Sequence, residues 1–167
     1  MTPAAQALAA QLIRNVDQPA QQRAVRAPLY DSVGMSLARG TAAQQLGASI
    51  DTVAPGMRSC PYHFHHAQEE MFVILAGCGT LRVAGEMLPL RSGDVIFIPP
   101  GAAYPHQIIN TSDAPLQYLS VSTRQQPEIV EYPDSNKVLM SAGPDGNRAL
   151  DLMQRRGESL DYWDAEP

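Results

Sequence analysis

Between residues 47 and 123 the chain is interrupted every eight to twelve residues by turn-forming side chains, and the runs left between them are too short for helices. GASIDTVAPG stops at Pro55 and Gly56, EMFVILAG stops at Gly77, and TLRVAGEMLPL doubles back at Ala84-Gly85. DVIFIPPG, HQIINTSD and APLQYLSVST follow in the same style, with no helical periodicity between them. Short β-prone runs at this spacing predict an all-β fold, an antiparallel sandwich or barrel.

The flanks differ from this middle stretch. PAAQALAAQLIR, residues 3 to 14, spaces Ala and Leu at helical intervals and gives way to Asn15 and Asp17, which predicts one short N-terminal helix. Residues 25 to 36 read as an extended arm punctuated by Pro28 and Gly34. From 124 onward the chain predicts an irregular C-terminal tail, in which Tyr162 and Trp163 either tuck against the core or a partner subunit, or belong to a solvated end. The expected division is 1–44 helix and arm, 45–123 β-core and 124–167 wrapping segment, one domain overall, because 167 residues can bury a core without staples.

Charge narrows the partners. Twelve basic residues face 17 acidic ones, the net charge is −5, and Lys137 is the only lysine. A surface that neutralises phosphate backbones needs clustered cations, so neither nucleic acid nor a membrane is expected as a partner. The N-terminus lacks a basic region leading into an apolar stretch, and no segment reaches 18 consecutive apolar residues, from which a cytoplasmic protein is expected. Cys60 and Cys78 alone make no disulfide framework and no CxxC spacing.

PYHFHHAQEEMF holds three of the four histidines in the chain. Along a strand alternate side chains share a face, so His63 and His65 point together while Phe64 and His66 point away. After a turn, Glu70, Phe72 and Ile74 share a face of the next strand, and a hairpin would bring Glu70 beside the two imidazoles. The fourth histidine, His106, opens the β-prone HQIIN after PPGAAYP. Three imidazole nitrogens and a carboxylate oxygen suit a divalent transition metal (Fe, Mn, Ni or Zn) better than Ca or Mg, and leave coordination positions open.

These residues also resemble a known family. Gly56, six residues, His63-Phe64-His65, four residues, Glu70, six residues and Gly77 are similar to the first cupin motif, with one extra residue in the first gap. Gly93, five residues, Pro99-Pro100-Gly101, four residues, His106, three residues and Asn110 resemble the second, with two extra residues before the histidine. The 15 residues between the motifs suit a small single-domain microbial cupin. The resemblance spans about 45 to 123 and implies a single jelly-roll-like β-barrel with His63, His65, Glu70 and His106 as metal ligands. Glu69 competes with Glu70, since the family accepts three or four intervening residues; strand parity favours Glu70.

The implied function is a metalloenzyme acting on a small oxygenated substrate by dioxygenase, isomerase or lyase chemistry, with Phe72 and Tyr104 as substrate-pocket candidates. The alternative is a non-catalytic small-molecule-binding or sensor cupin. Arg58, Arg82 and Arg91 are the only cations in the motif region, which counts against a phosphorylated substrate. Met71, Val73 and Leu75 make the outer face of the Glu70 strand apolar too, so a homodimer covering that face is expected.

Overall fold

The computed structural model describes residues 1–17, 21–143, 147–157 and 159–166. Thr2 accepts a hydrogen bond from the Ala5 N–H (3.2 Å) and Pro3 takes the first helical position, where its missing N–H costs nothing, so helix α1 runs Pro3–Leu12. None of its residues is buried. It is tethered at its end, where Arg14 Nη2 donates to the Gly40 carbonyl (2.6 Å) and the Ala42 N–H to the Gln11 carbonyl (2.9 Å).

Thirteen strands follow among the described residues: β1 Gln22–Arg26, β2 Tyr30–Ser36, β3 Leu46–Val53, β4 Phe64–His65, β5 Glu70–Ala76, β6 Cys78–Val83, β7 Glu86–Arg91, β8 Val95–Ile98, β9 His106–Ile109, β10 Leu116–Thr123, β11 Glu128–Tyr132, β12 Lys137–Ala142 and β13 Leu150–Arg155. They pair into three antiparallel sheets, ordered β1-β2-β3-β10-β5-β8, β13-β12-β11-β4 and β7-β6-β9. The all-β, antiparallel expectation holds. The expected closed jelly-roll ladder is not formed among the described residues, because the link between sheets runs through a two-residue strand and isolated bridges at His63–His106 and Arg58–Ile109. Pro55 and Pro61 flank that link and cannot donate to a ladder.

The register of the six-stranded sheet determines what faces inward. Val53, Asp51, Ser49 and Gly47 on β3 stand opposite Leu116, Tyr118, Ser120 and Ser122 on β10, and the last three of these stand opposite Ile74, Phe72 and Glu70 on β5. One inner face therefore grades from apolar (Val53, Leu116, Ile74) to polar (Ser49, Ser122, Glu70). The apolar end packs against Leu81, Leu90 and Ile108 of the three-stranded sheet, with Tyr118 and Phe72 at the boundary of this core. Side chains of this size contribute about 1.5–3 kcal/mol each when fully buried, so the core sits at one end and the other end is left for chemistry.

Glycine is required where chains cross closely. Gly77 has φ +83°, and a Cβ there would lie 2.5 Å from the Pro115 carbonyl oxygen, so the turn closing β5 admits no side chain. Asn110, wholly buried, donates from Nδ2 to the Val53 and Ala114 carbonyls and accepts from Ser112, so its side chain serves the turn backbone.

Two expectations are corrected. The irregular C-terminal tail is instead a three-stranded meander, β11 to β13, paired to β4 through Val130–His65 and Glu131–Phe64. The buried face of β11 begins with a glutamate, Glu128 (3 % exposed), so EIVEY lacks the clean apolar alternation that marks a strand. The expected arm at 25–36 is a hairpin of β1 and β2. Beyond β13, Tyr162 and Trp163 are 83 % and 69 % exposed and pack on one another, with ring centroids 4.8 Å apart, rather than on the sheets.

Candidate metal centre

His63 and His106 are joined backbone to backbone, the His63 N–H to the His106 carbonyl (3.1 Å) and the reverse (2.7 Å). This pairing sets their rings side by side, with centroids 4.7 Å apart. His65 enters from β4, two residues on and on the same face, and Glu70 from the start of β5. All four functional groups meet at one carboxylate oxygen. Glu70 Oε2 lies 2.9 Å from His106 Nε2, 3.4 Å from His65 Nε2 and 4.0 Å from His63 Nε2. Donor atoms bound at about 2.1 Å around a six-coordinate ion stand about 3 Å apart when adjacent and about 4.2 Å when opposite, so the set has metal-sized spacing. His63, Glu70 and His106 form a compact triad whose ligand atoms all lie within 4.8 Å of one another.

The orientation of the rings fits the same role. His63 Nδ1 lies 2.8 Å from the Pro61 carbonyl and His106 Nδ1 3.2 Å from the Tyr104 carbonyl. A proton on Nδ1 satisfies each carbonyl and leaves the Nε2 lone pair directed at the cluster, the arrangement seen when imidazoles bind metals. Yet Glu70 Oε2 and His106 Nε2 are buried without a hydrogen bond; despite their 2.9 Å separation they are misaligned for one. Two facing buried polar atoms left unpartnered would be costly unless something else binds both. Burial and the neighbouring His106 push His63 down to about 4, so its ring is neutral and able to ligate at physiological pH. Burial pushes the Glu70 carboxyl up, but the three imidazoles outweigh it and hold the group below its ordinary value.

The other sequence candidates separate cleanly. His66 points away, its Nε2 2.9 Å from Glu131 Oε1. Glu69 is exposed and lies outside the triad. Phe72 lines a cavity of about 220 Å³ behind the cluster, together with Asp51, Ser59, Cys60, His63, Glu70, His106, Ile108, Tyr118 and Ser120. Tyr104 is 46 % exposed and lines neither this cavity nor the outer cleft; its backbone carbonyl orients His106. Burial pushes the Cys60 thiol up to about 12, which keeps it protonated, and burial likewise raises Tyr118 well above the ordinary phenol value. Both cysteines are free.

His63 and His65 also border a larger outer cleft of about 1040 Å³ walled by glutamines and by Arg124 and Arg148. Arg82 instead pairs with Asp134 (2.6 Å) and stacks over the Tyr62 ring, and Arg91 reaches Asp94. The arginines that line the cleft thus come from outside the motif region. Also missed was Glu128, whose carboxylate accepts the backbone N–H groups of His66 (3.0 Å), Ala67 (3.4 Å) and Gln68 (2.9 Å) and so fixes the turn between His65 and Glu70.

Residues 49–122 match the family profile described as the cupin domain. This is a small cupin-type protein. Among solved structures, a cupin-superfamily sugar phosphate isomerase from Silicibacter pomeroyi is 25 % identical with TM-score 0.68, covering 78 % of this chain and 81 % of its own. A protein from Acidithiobacillus ferrooxidans, provisionally named a sugar phosphate isomerase, is 25 % identical with TM-score 0.75, covering 90 % of this chain and 97 % of its own. Auxin-binding protein 1 of Arabidopsis thaliana is 32 % identical over 133 residues, 74 % of this cupin and 64 % of that protein. The matched stretches span from 54 % to 64 % of the length of the curated relatives. No helix among the described residues is long and apolar enough to cross a membrane.

Proposed function

We propose that this cupin is a metal-dependent enzyme that binds one divalent transition metal through His63, His65, Glu70 and His106 and isomerises a small oxygenated substrate, with a jelly-roll barrel completed around the site. The observation that carries the metal reading is the pair of buried, facing and unpartnered atoms, Glu70 Oε2 and His106 Nε2. Such an ion would supply Lewis-acid polarisation of a carbonyl or hydroxyl oxygen. The chain's own contribution is positional. The Pro61 and Tyr104 carbonyls hold the rings of His63 and His106, Glu128 holds the turn that spaces His65 from Glu70, and Phe72 and Ile108 give the inner cavity an apolar wall. Tyr118, kept protonated by burial, offers a hydroxyl on the wall of that cavity. Isomerisation is favoured over dioxygenase or lyase chemistry by the two solved relatives of high coverage that carry an isomerase name.

The competing reading, a binding protein without turnover, draws on the auxin-binding relative. Proton exchange separates them. Metal-loaded protein incubated in D2O with hydroxyaldehydes and hydroxyketones, free and phosphorylated, should place deuterium on the carbon beside the carbonyl of its substrate. Binding without exchange would favour the second reading. We also propose a homodimer, supported by the edge strand β8, where Val95 and Phe97 are 50 % and 67 % exposed beside Leu75 of β5.

A further inference from the structure

The inner cavity, which shares His63, Glu70 and His106 with the cluster, has a composition unlike the outer cleft. Its wall carries hydroxyls from Ser59, Tyr118 and Ser120 and two carboxylates, Glu70 and Asp51, and no lysine or arginine. The polar half of the inner sheet face builds it: Asp51 opposite Tyr118, and Ser49 opposite Ser120. Asp51 Oδ2 accepts from the Ser49 hydroxyl (2.7 Å), while among the described residues Oδ1 has no hydrogen-bond donor. Room for Oδ1 comes from β2, where Gly34 faces Asp51; a Cβ at Gly34 would stand 3.0 Å from it. Ser120 likewise has a hydroxyl without a partner among the described residues, and the Ser59 and Tyr118 hydroxyls share one hydrogen between them, leaving the other to give.

We propose that this cavity is a subsite for the uncharged, hydroxyl-bearing end of a ligand whose other end meets the metal centre, with Asp51 as its specificity-determining side chain. The inference rests on the metal reading above and names the substrate class within it. A terminal CH2OH can donate to Asp51 Oδ1 and accept from Ser120 or Tyr118, so each polar group on the wall finds a partner. A terminal carboxylate or phosphate would lie against Asp51 with no lysine or arginine in the wall to compensate, the metal's charge being taken up by Glu70 and the chelating end of the ligand, and a half-buried carboxylate facing an anion is a device for rejection. The volume of about 220 Å³ corresponds to about seven water volumes, enough for a short polyol tail and too small for a bulky one. The guanidinium groups of Arg124 and Arg148 line the larger cleft and not this cavity.

The test uses two probes that differ at one terminus. Threonate and the tartrate of matching configuration share an α-hydroxycarboxylate able to chelate, but threonate ends in CH2OH and tartrate in a second carboxylate. Titration calorimetry on manganese-loaded protein at about pH 8, where model carboxylates are ionised, should give threonate at least about tenfold tighter binding. Asp51→Asn should bring the two affinities within about threefold of each other by relieving the repulsion of tartrate, and Ser120→Ala should weaken threonate about threefold or more while leaving tartrate unchanged. The wild-type comparison needs no variant to fold. Equal binding, tighter tartrate or no binding of threonate, in samples that retain manganese by elemental analysis, would overturn the subsite and leave the metal centre standing. Samples that take up no manganese or any other divalent metal would overturn the metal reading itself, and the subsite with it.

Discussion

Glu128→Gln is the perturbation that best separates a scaffold that merely contains the four ligands from one that holds them in place. The Glu128 carboxylate is 3 % exposed and receives three backbone N–H groups from the turn 66–68, with Oε1 taking His66 and Ala67 and Oε2 taking Gln68. Glutamine keeps one oxygen, so either the Gln68 N–H or the His66–Ala67 pair meets an NH2 group instead of an acceptor. Hydrogen bonds to a charged group contribute about 1.5–3 kcal/mol each, and an unmet buried donor costs a similar amount. A loss of about 2–3 kcal/mol is therefore expected, seen as a midpoint lower by about 5–10 °C for a chain of this size. The same turn sets the reach from His65 to Glu70, and Glu128 Oε2 lies 3.8 Å from His65 Nδ1, so metal affinity should fall about tenfold or more. Urea unfolding of metal-free protein gives the first number and chelator competition the second. A stability change under about 0.5 kcal/mol together with unchanged metal affinity would refute the idea that the C-terminal meander holds the site.

Further outcomes follow from other features. In metal-free protein the folded His63 titrates at about 4 while the unfolded ring titrates at its ordinary 6.5; between these values the unfolded chain binds the extra proton, so stability should be lost as the pH is lowered through that window, by up to about 3 kcal/mol, and His63→Gln should flatten the slope in equilibrium unfolding measured against pH. Gly79→Ala places a Cβ 2.6 Å from the Ile109 carbonyl oxygen and 2.8 Å from Leu116 Cδ2, which should cost about 1–3 kcal/mol by overpacking the junction of β6 and β9, read by thermal unfolding; a neutral result would mean these strands lie farther apart. Phe97→Glu should convert a dimer to monomer in sedimentation if β8 is the subunit contact, and leave mass unchanged if it is not.

How much of this was legible beforehand depended on period. Turn residues at Pro55-Gly56, Gly77 and Ala84-Gly85 announce their strands because a positive φ or a missing N–H leaves few alternatives, and two histidines in alternate positions declare a shared face. The C-terminal meander was hidden because its inward positions are not uniformly apolar: Glu128 is buried to serve a turn 60 residues earlier, a purpose no local window reveals. Asp51, Tyr118 and Ser120 were legible in principle as polar residues at alternate positions within otherwise ordinary strands, but period alone does not say whether such a face meets solvent or a cavity. The arginines of the outer cleft come from the segments after the β-core, so a search confined to the motif region could not find them. The ligand spacing in sequence is irregular, with extra residues before His63 and His106, yet the isolated bridge His63–His106 ties His63, which lies outside any strand, directly to the first residue of β9.

The central claim is that three imidazoles and one carboxylate gather around Glu70 Oε2 to hold an ion. Elemental analysis of purified, tag-free protein, alongside His63→Ala/His106→Ala, tests it most directly. Near-stoichiometric Fe, Mn, Ni or Zn in the native chain and its loss from the double variant is the expected result. An absence of metal in the native chain after reconstitution with each of these ions, or equal metal in both proteins, would contradict it.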